Sequence, residues 1–354
     1  MFELCCSPIS GGNFVSQIAI LTALLEIRNK SSKTEKTHFD LYLGASGGSL
    51  ANIITTFFEG SKESIERIVY ILNSKMFVQN WWKGKFSFID SKLVSMFQDS
   101  MYQSGKGAVE TFKSLTVDDH FSKEDISENW FLTFNNDKNI PVIHSTNSPE
   151  SSLFNKKEDF DFCEVKYLDY KLEKIIETVM ASASIPGLKE SVIIDNENHV
   201  DGGVANPSPY YYFSELLYLK HLDKSIEHPY HFYYILPRDL KLSKNRKNIW
   251  VADVLDGIQK MISFSIFKDQ EFVFESWLRM ISKSKRDLVK IRVEKGNKKE
   301  ILKILEENHQ YDYFITLFTD ENTIDITNFE KKDLEHCFQN CYQSIFLEIF
   351  INKN

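Results

Sequence analysis

Gly44-Ala45-Ser46-Gly47-Gly48 is a G-x-S-x-G pattern. A serine spaced this way suits nucleophilic chemistry. A sharp strand-to-helix turn holds it in strained backbone geometry and projects its hydroxyl. Gly44 and Gly48 lie two residues to either side, where the backbone crowds, and Ala45 and Gly47 keep the turn small. The helix that follows aims its first N–H groups and its dipole at developing negative charge. Such a hydroxyl still needs a base. Histidines at 199, 221, 228, 231, 309 and 336 all lie downstream, and no motif singles one out. The other candidate is Asp201, which ends a strand-like segment and is followed by Gly202 and Gly203. Two glycines after a carboxylate let another backbone approach closely. A structural reading stands beside each feature: a tight turn at Ser46, and a glycine-rich turn capped by Asp201.

The elements that must position these residues follow a rhythm. Residues 2–9 are strand-like, Gly11-Gly12 breaks the chain, and Phe14, Ile18, Leu21, Leu24 and Leu25 recur at helical spacing. Phe39–Leu43 reads as a buried strand, Gly44–Gly48 as a turn and Leu50–Phe58 as a buried helix. This β–loop–α–β–turn–α order predicts an α/β fold with a mostly parallel sheet and helices packed on it. Further strands are expected at Trp130–Phe134, Ile140–Ser145, Tyr230–Leu236 and Tyr313–Phe318. A hairpin is expected around Asn196–Asn198, with Val192–Ile194 and His199–Val200 as its arms. Helices are expected over Lys171–Ala183 and near 210–219, 250–267 and 329–350. Neither an internal repeat nor a linker is visible. One domain over 1–354, with a mainly helical, aromatic-rich insertion at about 61–128, fits best.

Composition narrows the function classes. In 354 residues, 42% hydrophobic and 26% charged content supports a packed core over disorder. Lys and Arg total 42 against 50 Asp and Glu, a net charge of −8, which argues against nucleic-acid binding through bulk charge. No apolar run approaches the 18 or so residues of a membrane span, and the N-terminus lacks a basic segment followed by an apolar one. The five cysteines form no C-x-x-C pattern. Adjacent Cys5 and Cys6 suit a buried first strand, and Cys337 and Cys341 suit one packed helix face. A reducing, cytoplasmic setting is expected, with signal-independent export as the alternative.

Taken in order, Ser10-Gly11-Gly12, GASGG, Ala181-Ser182-Ala183-Ser184-Ile185-Pro186 and Asp201-Gly202-Gly203 resemble the patatin-like phospholipase family. The likeness covers most of the chain and is weak over 60–130 and 240–310. It implies a three-layer α/β fold and a Ser46/Asp201 dyad without histidine. It also implies an oxyanion site at the Gly11 and Gly12 amides, an acyl-serine intermediate and a lipid acyl ester substrate. Neither metal nor organic cofactor is needed. The residues Gly44, Gly47, Gly48, Gly202 and Gly203 support the two motifs. The closing segment after Ile324-Asp325-Ile326 resembles the family's last strand and helix. Family members usually carry G-G-G-x-[Lys/Arg] in the oxyanion loop; here Asn13 stands at the third glycine and Val15 at the basic position. That departure implies lowered activity, an activating protein partner or a lipid- or protein-binding role, and a Ser–Asp–His esterase is the further alternative. A free Asp titrates near 3.9, so Asp201 needs burial to act as a better base.

Two stretches lie outside these motifs. The aromatic cluster Phe77, Trp81, Trp82, Phe86 and Phe88 suits core packing, or a surface that meets lipid at a membrane periphery. Residues 283–303 hold nine Lys or Arg against three acids and read as a solvated helix-and-loop face, with contact to anionic headgroups as the alternative. A shorter basic loop, Lys241, Lys244, Arg246 and Lys247, has the same two readings. Gly105-Lys106-Gly107 lacks the spacing of a P-loop.

Overall fold

The computed structural model describes residues 2–8, 10, 14–30, 37–56, 66, 68–69, 127–148, 162–186, 191–205, 210, 230–236, 273, 275, 279, 288–293, 302–303, 306–307, 311–318, 336–339, 342 and 348–351. The chain opens with β1 (Phe2–Ser7), α1 (Phe14–Asn29), β2 (Leu41–Ala45) and α2 (Gly47–Thr55). Then follow β3 (Glu128–Asn135), β4 (Ile140–Ser145), β5 (Glu164–Tyr167), α3 (Leu172–Ser182), β6 (Val192–Ile194) and β7 (Glu197–Asp201). The last described strands are β8 (Tyr230–Leu236), β9 (Leu288–Val293), β10 (Asp312–Phe318) and β11 (Glu348–Ile351).

Among the described residues these strands form one sheet in the order β11-β9-β10-β8-β1-β2-β3-β4-β5, with β7 joined to β3 and β6 to β7. From β9 through β10, β8, β1 and β2 to β3 every neighbour is parallel. Antiparallel pairs enter at β11–β9, β3–β4, β3–β7 and β6–β7. The expected α/β class with a mostly parallel sheet is therefore present.

Strand periodicity sorts the core into two layers. Cys5, Tyr42, Phe131 and Tyr233 face one cluster, which contains the apolar residues of α1, α2 and α3. Their neighbours Leu4, Cys6, Leu41, Leu43, Trp130, Leu132 and Phe232 face a second cluster, which contains the helical residues Tyr210 and Val273. Helical residues thus cover both faces of the sheet, a three-layer arrangement. The expectation of burial holds for Cys5, Cys6 and Cys337, and Cys163 is buried too, all four unbonded to one another; Cys341 lies outside the described residues.

Helix α1 is more deeply placed than its spacing suggested: fourteen of its sixteen residues are buried. The C-terminal helical residues Cys337, Phe338 and Tyr342 join the same cluster, so α1 is covered on its outer side too. Several of its buried polar groups find partners, though Gln17 Oε1 has none among the described residues. Thr22 donates to the Ile18 carbonyl, Ser16 bonds Cys337 Sγ, and Gln17 Nε2 donates to the carbonyls of Pro8 and Ile235.

Two expectations need correction, and one strand was not expected. The basic segment 283–303 is not all helix and loop, because Leu288–Val293 is strand β9, paired on both edges. The helix expected over 329–350 gives way to strand β11 at its end, antiparallel to β9. Strand β5 was not expected, because its Glu-Val-Lys-Tyr alternation runs for only four half-buried residues. The aromatic cluster of the 61–128 segment, the 241–247 loop, the 250–267 helix and Gly105-Lys106-Gly107 lie outside the described residues. No helix among the described residues is long and apolar enough to cross a membrane.

Candidate active site

Strand β3 is the ruler that brings two distant segments together. Its one edge is taken by β4 from Trp130 to Asn135. Along the other edge, β2 runs parallel and stops with Ala45 opposite Leu132. On that same edge β7 runs antiparallel and stops with Asp201 opposite Thr133. The carboxyl ends of β2 and β7 therefore meet head to head. Ser46 follows one end and Asp201 forms the other.

Ser46 sits between β2 and α2 at φ 55°, ψ −128°. A non-glycine residue there carries strain of about 1–3 kcal/mol, held by its surroundings. The flanking glycines answer two separate packing demands. A Cβ on Gly44 would lie 2.8 Å from Ser49 Cα and from the Asn52 amide nitrogen. A Cβ on Gly48 would overlap the Ser7 carbonyl of β1. The first matches the expected crowding within the turn. The second comes from a neighbouring strand, which spacing alone could not reveal.

Ser46 Oγ donates to Asp201 Oδ2 at 2.6 Å, directly and with no imidazole between. Both residues are 1% exposed. Asp201 Oδ1 accepts from the Gly203 N–H at 2.7 Å, where Gly202 and Gly203 open a short 3₁₀ turn. The Asp201 N–H donates to the Ser184 carbonyl at 2.9 Å. The carboxylate thus accepts from a hydroxyl and a peptide N–H, both neutral. Gly47 begins α2 directly behind the serine.

The described histidines downstream of Ser46 are engaged elsewhere in part. His199 Nδ1 and His144 Nε2 both bond Thr133 Oγ1 at 2.9 Å, making a buried His–Thr–His row on the strands that carry Asp201. Burial, then the neighbouring His199 and Lys166, holds the His144 ring well below the usual imidazole range. Burial and Lys166 lower His199 as well. His231 lies near Glu3 at the opposite end of the sheet. His221, His228 and His309 lie outside the described residues. Burial pushes the Cys163 thiol up to about 12 and raises Cys5 and Cys6 as well, so these are not thiolates near neutral pH. Among the described residues no group of three or more His, Cys, Asp or Glu is placed to hold a metal ion.

A patatin-like phospholipase family model matches residues 10–214, which include Ser10, the Ser46 elbow and the Asp201 turn. The chain belongs to the patatin-like phospholipase family. Among curated proteins none shows significant sequence similarity to it. Within this patatin-like chain, Ser46 and Asp201 come together as their motifs imply, while Gly11, Gly12 and Asn13 lie outside the described residues. Val15, at the family's basic position, is fully buried in α1, where a cationic side chain would need a partner. Sequence reasoning did not assign roles to Ser182, Leu132 or Thr133. Ser182 lay within the Ala181–Pro186 motif, but its partners are remote in sequence.

Proposed function

We propose that this protein is a lipid acyl hydrolase of phospholipase A type, working through a Ser46/Asp201 dyad. The observation that carries the reading is the direct 2.6 Å bond from Ser46 Oγ to Asp201 Oδ2, made at a strained turn between a strand and a helix. Ser46 Oγ attacks the ester carbonyl carbon while Asp201 takes its proton. The tetrahedral oxyanion is held by the Gly11 and Gly12 amides and favoured by the N-terminus of α2. Collapse expels the alcohol half of the lipid, which takes the proton from Asp201 and leaves an acyl-Ser46 ester. Asp201 then takes a proton from a water molecule as its oxygen attacks the acyl carbon; the bond to Ser46 Oγ breaks, Ser46 Oγ recovers the proton from Asp201, and the free fatty acid departs. No step calls for a metal or organic cofactor. We read the chain as one acyl hydrolase domain that works in the cytoplasm or at a membrane periphery.

The buried Val15 favours a second reading, in which activity waits on a protein partner or has been replaced by lipid binding. One assay separates them. Wild type and Ser46→Ala are given mixed phospholipid vesicles, and free fatty acid is followed, with mass detection of acyl-Ser46. Release and acylation by wild type alone are expected. Vesicle binding by both proteins with no release by either would favour the second reading. Equal loss of activity in a single histidine variant would point instead to a Ser–Asp–His esterase.

A further inference from the structure

The hydroxyl of Ser182, the last residue of α3, is fully buried and joins three segments. Its proton goes to the Leu132 carbonyl at 2.7 Å, because a carbonyl can only accept. Its oxygen accepts the Ser46 N–H at 3.0 Å. The Ser49 hydroxyl lies 2.8 Å away, and since the one Ser182 proton is committed to Leu132, Ser49 must donate. A serine hydroxyl offers one donor and two acceptor sites. All three are used, so the side chain has no freedom to turn.

The partners matter more than the count. Leu132 is the β3 residue opposite the end of β2, and Thr133 beside it is opposite Asp201. The Leu132 carbonyl also packs so closely on Gly202 that a Cβ there would overlap it. One peptide of β3 is therefore the common reference for both halves of the dyad. Asp201 and Gly202 rest on it directly; Ser46 lies one residue beyond the β2–β3 ladder, which ends with Ala45 opposite Leu132, and its own amide is linked to the Leu132 carbonyl through Ser182. Local turn bonds, such as Ser49 N–H to the Ser46 carbonyl at 3.0 Å, fix the turn's shape, and the ladder holds Ala45 beside β3; the Ser182 bonds extend that hold to the Ser46 amide.

We propose that Ser182 is a positioning residue: it tethers the Ser46 amide to β3 and so sets the Ser46–Asp201 separation. This inference rests on the dyad reading above. Ser182 touches no reacting atom. Its loss leaves the strained Ser46 backbone without its anchor, and a misplacement of about 1 Å can cost 10²-fold in rate.

The test is the rate of Ser46 labelling by a fluorophosphonate, together with kcat and KM on a short acyl ester. It compares wild type, Ser182→Ala, Ser182→Thr and Thr55→Val. Thr55→Val removes a buried hydroxyl-to-carbonyl bond at the far end of α2 and serves as the stability control. Ser182→Ala is expected to lower kcat and labelling about 30–100-fold with KM nearly unchanged. Thr55→Val should lose comparable thermal stability and keep its activity. Ser182→Thr, which retains the hydroxyl, should recover part of the rate if it folds. If Ser182→Ala labels at the wild-type rate, or loses activity only in step with Thr55→Val, the inference fails while the dyad stands. If wild type itself is inert to the phosphonate, the dyad reading fails and takes this inference with it.

Discussion

The two ends of the parallel strands each bury a carboxylate, and they treat it in opposite ways. At the amino end, Glu3 of β1 receives Arg28 of α1 through both Nε and Nη2, with His231 of β8 close by. Arg28 also stacks over Phe39, 4.5 Å from the ring centre. At the carboxyl end, Asp201 accepts from a hydroxyl and a peptide N–H. An ion pair commits a carboxylate to staying charged: burial alone would raise Glu3, but Arg28 and His231 hold it down to about 2. In the mechanism proposed above, Asp201 instead takes up a proton and gives it back. Open α/β sheets bind ligands at the carboxyl ends of their strands, and here that is also the end where Asp201 meets the Ser46 hydroxyl.

The sharpest way to break this contrast is to neutralise each carboxylate without changing its shape. Asp201→Asn should cut ester hydrolysis about 10²–10⁴-fold, the usual worth of a general base, with little loss of thermal stability, since the amide can still accept from Gly203. Glu3→Gln should do the reverse. It leaves Arg28 charged and underpaired in the core, at a cost of about 3–5 kcal/mol in urea unfolding, and the protein that remains folded should keep its kcat. Retained activity in Asp201→Asn would remove the functional half of the comparison.

Acid should expose a second difference, read from urea midpoints across pH. Glu3 has a folded pKa below its ordinary 4.5, so its contribution is present above 4.5 and is lost as pH falls from there toward 2. His144 and His199 have folded values below 6.5, so the unfolded chain takes up their protons first. Their contribution is complete above 6.5 and falls as pH drops through their lower folded values. A His144→Gln variant should flatten the decline just below pH 6.5 and leave the one below 4.5 intact. An unchanged upper slope would show that the His–Thr–His row is not what titrates.

The smallest effect belongs to the charge pair between β5 and β7, where Lys166 meets Glu197 at 3.1 Å in partial contact with solvent. Lys166→Met should shift stability by less than about 1 kcal/mol. A loss as large as that of Glu3→Gln would mean that burial is not what separates the two ion pairs.

Much of the site was legible in the chain. The Gly44–Gly48 spacing announces a strained turn, and Asp201-Gly202-Gly203 announces a carboxylate at a strand end, because both depend on what the backbone can do within five residues. Strands β4 and β8 were equally plain, being short apolar runs between turn-formers. Strand β9 was not, because its alternating lysine and arginine imitate a solvated face until a neighbour on each edge is known. The inner position of α1 was hidden for a similar reason: its outer cover arrives some 310–330 residues later in the chain.

The sequence by itself determined which groups could react, since a nucleophile and its base are properties of side chains and of the local turns that carry them. That Ser46 meets Asp201 with no histidine between was decided by the tertiary structure, through the shared edge of β3. So was the difference between a carboxylate locked to Arg28 and one bonded to the Ser46 hydroxyl and the Gly203 N–H. Local spacing governs a few ångströms of backbone; separations of 155 residues are closed only by sheet register and by hydrogen bonds such as those of Ser182.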